Sequence, residues 1–290
     1  MHSYLRAIGF SKIKRESEVE RLLTDVFDNF DHRDAVRDHD TAFVEMEKEY
    51  GPDMGIMLCG SVDQEGFHRQ YYFPYYKGSG ITTSADLVVE KRIGGDSFAG
   101  ICDDGRVGVS LIFYLQNAAR YQKEQILNQL PDHSITTTFS GLSTNGMILL
   151  PISKNESLED VRRQSSAKHY QLMNAAKSGD QDAIENLTIE DMDLYSMVSR
   201  RIYQEDVFSI VDTFFMPYGM ECDQYQVMGN IVSCEKIKNE LTDESIYQMN
   251  IECNDMYFDV CINEKDLVGV PEEGRRFKGS IWLQGRINFN

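Results

Sequence analysis

Long apolar runs are missing from this sequence. No stretch approaches the roughly 20 residues a helix needs to cross a bilayer, so no membrane-spanning helix is expected. Paired cysteines are missing too: Cys59, Cys102, Cys222, Cys234, Cys253 and Cys261 stand singly, with no C-x-x-C among them. Thiolate zinc sites and disulfide frameworks draw on close, paired spacings. Free, mostly buried thiols in a reducing compartment are the expectation. The basic residues Lys12, Lys14 and Arg15 follow the first apolar stretch, whereas a secretory signal places them before it. The cytoplasm is the expected address.

Basic charge is scarce, with 29 Lys and Arg against 47 Asp and Glu and a formal net charge of −18. Nucleic acids are held by a basic surface that neutralises phosphates, so nucleic-acid binding is disfavoured, and so is binding to anionic membranes. The balance is compatible with simple solubility or with a basic protein partner.

Catalytic and cofactor motifs are also absent. The glycine-rich stretch from Gly94 to Gly100 lacks the Gly-Lys-Ser/Thr of a phosphate loop, and its Asp96 would repel phosphate. There is no H-E-x-x-H and no G-x-S-x-G. Asp31, His32, Asp34, Asp38, His39 and Asp40 form the densest group of metal-ligand types, which also reads as a charged, solvated linker after a helix. Cys102 sits beside Asp103 and Asp104, carboxylates that would raise its pKa and quiet it. His133 has no evident partner. No catalytic residue, metal site or cofactor is assigned.

What is present is pattern. A two-residue loop at Asn254-Asp255 would pair Cys253 with Met256, Ile251 with Phe258, Met249 with Val260 and Tyr247 with Ile262. All of these then fall on one face of a hairpin. Gln248, Asn250, Glu252, Asp259 and Asn263 take the other face, which can face water. Asn and Asp tolerate the positive φ of a type I′ turn. With a long strand at 225–237 broken by Gly229, a turn of helix at 265–267 and a closing strand from Phe277 to Ile287, the region 206–290 reads as a small antiparallel barrel. It resembles the oligonucleotide/oligosaccharide-binding (OB) barrel.

Upstream, Val19, Leu22, Leu23, Val26, Phe27 and Phe30 make one stripe of a helix. Strands are predicted at 42–50, 55–62, 67–76, 87–92, 98–102 and 107–115, a helix at 117–130, and two more strands at 135–139 and 147–152 around an Asn145-Gly146 turn. Residues 1–154 thus read as an antiparallel α+β domain and 155–205 as a connector of three helices with short links. The second of these helices would follow a left-handed Gly179 and an Asp180 cap.

Two features suggest a binding surface. Tyr71, Tyr72, Phe73, Pro74, Tyr75 and Tyr76 cannot all face one side of a strand, and Pro74 demands an edge or a bulge. The stretch is either a partner-docking edge or a strand sandwiched between core and helix. Trp282, the single tryptophan, points out of the barrel. It would either stack on a ligand, with Arg276 nearby, or pack against the connector. A non-catalytic binding or scaffolding protein is the leading expectation. A nucleic-acid-binding barrel face, or an enzyme using His39, Cys102 or His133, is the alternative.

The opening Met-His-Ser-Tyr-Leu-Arg-Ala-Ile-Gly-Phe, the segment Phe215-Met-Pro-Tyr-Gly-Met-Glu and the ending Arg276-Phe-Lys-Gly-Ser-Ile-Trp-Leu-Gln-Gly resemble an uncharacterised bacterial family along its full length. That resemblance implies a cytosolic protein and carries no catalytic residues with it.

Overall fold

A computed structural model describes residues 3–38, 41–92, 97–127, 135–151, 171–172, 175, 179–186 and 211–289. The chain is mostly β. A short 3₁₀ helix, Ser3–Ile8, precedes α1 (Glu16–Asp28) and four strands, β1 (His32–Asp38), β2 (Thr41–Gly51), β3 (Met54–Val62) and β4 (Phe67–Tyr76). These strands form an antiparallel sheet in the order β1-β2-β3-β4. Val19, Leu22, Leu23 and Val26 of α1 are buried, whereas Phe27 and Phe30 at the end of the stripe stay largely exposed.

β5 (Leu87–Lys91), β6 (Phe98–Asp103), β7 (Ser110–Leu115) and α2 (Ala118–Ile126) follow, and then β8 (Thr136–Leu149). After the connector come β9 (Phe214–Pro217), β10 (Gln224–Lys238), β11 (Ser245–Cys253), β12 (Met256–Asn263), β13 (Leu267–Val268) and β14 (Arg276–Asn288). Five of these strands close a barrel in the order β8-β12-β11-β10-β14, with β14 pairing back onto β8. β7, β6 and β5 extend the barrel sheet beyond β14.

The hairpin β11–β12 has the register read from the sequence, Cys253 with Met256 through Tyr247 with Ile262. Asn254 and Asp255 take φ of 54° and 61°, as a type I′ turn requires. The inward faces of the barrel, among them Ile251, Phe258, Val260, Phe277, Ile281 and Leu283, form one core. Gly285 fits where a Cβ would stand 2.3 Å from the Phe113 ring, so glycine there lets β14 and β7 close together.

Four expectations are corrected. The linker at 31–40 is an edge strand over His32–Asp38, formed by pairing with β2 rather than by any apolar alternation of its own. The two short strands at 135–139 and 147–152 are one strand, β8, which continues through Asn145-Gly146 with a bulge at Thr144 because β14 pairs on both sides of it. β8 also runs parallel to β12, so the barrel draws strands from both sides of residue 154, where the sequence places a domain boundary. Finally, the polar face of the hairpin is largely covered. Asn263 and Asp259 are buried, Asn263 donating to Arg6 O and to Glu244 and Asp259 accepting from Ser79. Polar residues there bind the backbone of crossing segments instead of water.

Most of the helical connector lies outside the described residues. Its second helix, 181–186, follows Gly179 at φ 90°, and Asp180 accepts from the N–H groups of Asp182 and Ala183. The third expected helix lies outside the described residues.

Candidate functional site

The six residues singled out in the sequence sit inside the protein or half inside it. Tyr75 and Tyr76 are buried, and Tyr71 and Tyr72 are half-buried. Tyr71 lies between the rings of Phe43 and Phe73. β4 is an edge strand, as Pro74 requires, but its edge is already occupied by side chains of the barrel sheet. Gln284 Nε2 donates to Pro74 O at 2.8 Å and Gln116 Nε2 to Tyr76 O at 2.9 Å. At this end of the strand the carbonyls of Pro74 and Tyr76 are thus already engaged. Trp282 does point out of the barrel, onto Tyr4 and Tyr114 at ring distances of 5.3 and 4.9 Å, and Nε1 donates to Asp223. Only 3% of it is exposed, too little to stack on a ligand. Arg276 is buried and donates to the carbonyls of Leu150 and Val211. The tyrosines and Trp282 thus share the second core, with α1 and the 3₁₀ helix, whereas Arg276 stands apart.

Of the residues proposed for an enzyme, His39 and His133 lie outside the described residues. Cys102 is buried and its thiol is pushed up to about 12, chiefly by burial and then by Asp104 and Asp103. That thiol is not a nucleophile at neutral pH.

The structure assembles a different site. Side chains alternate along β2, so Val44 and Met46 join the core under α1 while Glu45, Glu47 and Glu49 take the other face. Pairing with β1 sets Asp34 opposite Glu45 and His32 opposite Glu47. α2 is delivered to this face by Asn117, whose Nδ2 donates to Ile287 O at 2.9 Å while its Oδ1 accepts from Ile287 N at 3.1 Å. That exchange pins the start of α2 to β14 and aims its first N–H groups at Glu45.

Glu45 is only 3% exposed, and its Oε1 has no hydrogen-bond partner among the described residues. Burial raises its carboxyl to about 8. The N–H groups of Ala119 and Ala118 and the charge of Arg286 pull the other way, and Asp34 adds to the rise. Desolvation wins, so at neutral pH the group is mostly a neutral carboxylic acid, with a hydrogen-bond donor to offer. Glu47, one pair along, is compensated: it is ion-paired with Lys77 and accepts from Tyr75 Oη at 2.9 Å. Lys77 also holds Glu49 at 2.8 Å.

Glu45 lies at the inner end of a small cavity of about 20 Å³, with His32, Asp34 and Arg286 nearer solvent. That is room for about one water. A second cavity of about 210 Å³ shares Asp34 and runs between β1 and α2, past Ala119, Arg120, Lys123 and Glu124. The first cavity is thus lined by two buried acids, Glu45 and Glu47, and Asp34 stands between it and the second. The sequence carried a signal for it in the alternating glutamates of 45–49. The burial of Glu45 needed α2, which alternation within β2 cannot reveal. No group of three or more metal-ligating side chains occurs among the described residues.

Fold and site define a mostly-β protein with a closed five-stranded barrel and a polar cleft beside it. The chain belongs to the family described as "Domain of unknown function, E. rectale Gene description (DUF3881)", which matches residues 5–285. No curated protein and no solved structure matches it. No helix among the described residues is long and apolar enough to cross a membrane.

Proposed function

We propose that this chain is a non-catalytic binding protein whose ligand is a small polar molecule taken into the cleft between β1 and α2. One observation carries the proposal: Glu45 keeps a buried carboxyl oxygen that has no partner among the described residues, at the inner end of a small cavity. A buried polar atom left unpaired costs about 1–3 kcal/mol, a cost that a bound ligand group removes. The aromatic stretch and Trp282 support the cleft from behind as packed core.

The barrel fits an OB-like reading with its strands in permuted order. Taken as first to fifth, β10, β11, β12, β14 and β8 give a three-stranded meander, a parallel contact between third and fifth, and closure through the fourth. Such a likeness carries no function, and the face around Trp282 is already covered by Tyr4 and Tyr114.

Thermal unfolding against a panel of small polar compounds tests the binding reading. A ligand at 100 times its Kd stabilises by about 2.7 kcal/mol. Compounds that stabilise the native chain should lose that effect in Glu45→Ala. A panel without stabilisers, or equal stabilisation of both proteins, would overturn it.

A further inference from the structure

We infer that β5 is an interaction edge, which takes as an added strand an extended segment of a partner protein with a cation two residues to either side of an apolar residue. β5 ends the barrel sheet, pairing with β6 and with no strand on its other side among the described residues. Arg92 N donates to Ser97 O at 2.9 Å, one step beyond the β5–β6 register. In an antiparallel pair, alternate residues turn both backbone groups toward the partner. Arg92, Glu90 and Val88 therefore face β6, and the N–H and C=O groups of Leu87 and Val89 point away from the sheet. The other edges are less open: β1 lies against α2, the end of β4 is held by Gln284 and Gln116, and β9 and β13 span only four and two residues. β5 has no proline and no bulge, two of the devices that close an edge to pairing.

The side chains of this strand define what fits. Leu87 and Val89 turn toward the barrel core. Val88, on the outer face, is 56% exposed and stands in a cross-strand row with the half-buried Ile101 and Ile112. Asp86 and Glu90 flank it on the same face, both exposed and neither in an ion pair among the described residues. Arg92, the cation at the end of this strand, is bound to Asp223. The outer face of the edge thus reads acid, valine, acid at a spacing of two. A strand laid beside it sets its own side chains directly opposite. Cations then meet Asp86 and Glu90, and an apolar side chain between them extends the Val88 row. The alternate positions continue the apolar layer begun by Leu87 and Val89. An acidic segment would be repelled there. The added strand is therefore basic, opposite in sign to this chain's own net charge of −18, which favours a partner over a second copy.

Fluorescence anisotropy of the full chain with a capped, labelled peptide Ser-Lys-Val-Val-Thr-Lys-Ser, together with hydrogen exchange read by mass spectrometry, tests the inference. Saturable binding is expected, weakening as salt rises, with slowed exchange over residues 86–91. The doubly substituted protein Asp86→Lys, Glu90→Lys should bind this peptide about tenfold more weakly, because two attractive cross-strand pairs become repulsive. It should gain affinity by a similar factor for the peptide Ser-Glu-Val-Val-Thr-Glu-Ser. Val89→Pro removes an outward N–H and none that faces β6, so it should abolish binding with the β5–β6 pairing intact. Absence of saturable binding, or binding indifferent to the charge exchange, overturns the inference. Slowed exchange over the same residues through concentration-dependent self-association, without peptide, overturns the partner and assigns the edge to a second copy.

Discussion

Replacing Glu45 by glutamine should make the protein more stable, and more so the higher the pH. In the unfolded chain a glutamate titrates at its ordinary value near 4.5, whereas in the fold burial raises this carboxyl to about 8. The fold favours the neutral form. Its contribution is therefore whole below about pH 4.5 and is lost as pH rises through 8. Between pH 5.5 and 7.5 the unfolded chain has released this proton and the native chain has not, so stability falls by about 1.4 kcal/mol per pH unit from this group. Across the whole window the loss approaches about 5 kcal/mol, an upper figure because local opening lets a charged Glu45 reach water. Glutamine keeps the carbonyl that faces the N–H groups of Ala118 and Ala119 and has no proton to lose. Urea unfolding of both proteins at half-unit steps from pH 5 to 9 gives the difference directly, and slopes from the histidines cancel in it. The two proteins should agree near pH 5 and diverge to about 3 kcal/mol at pH 7, then level off above pH 8.5. A difference that stays constant with pH would refute the burial of this carboxyl, and with it the site.

Other outcomes follow from the packing. Trp282 should emit with a buried, blue-shifted spectrum resistant to iodide quenching, and Trp282→Ala should cost about 3–5 kcal/mol in urea; ready quenching would place the ring outside the core. Tyr75→Ser should cost about as much, since the ring is 1% exposed and its hydroxyl serves Glu47; a melting temperature close to native would restore the docking edge. Asp255→Gly should stabilise by about 1 kcal/mol, because φ at that turn position is 61°. A loss of stability would show that the Asp255 side chain does more than tolerate the turn.

Much of the fold is legible one strand at a time. Alternation and the Asn254-Asp255 turn fix the register of β11 and β12 pair by pair, and Pro74 places β4 at an edge, because these are interactions between neighbours in sequence. β1 was not legible in the same way. Its charged residues become a strand only because β2 offers a partner ladder, and local pattern says nothing of that. β8 is similar: Asn145-Gly146 is a strong turn signal, overridden by thirteen residues of pairing with β14.

The sequence by itself determined the short-range structure, the closed hairpin and the inward face of β14, because period-two alternation and turn chemistry act over a few residues. Only the tertiary structure decided which polar residues are wet. Asp259 and Asn263 look solvated along the chain and lie buried under crossing segments. Glu45 looks like one of three surface glutamates, yet it ends under α2 with an oxygen unpaired. Burial is a sum over contacts from elements far apart in sequence. The shift in its pKa and the cleft it faces exist only once β1, β2, α2 and β14 have met.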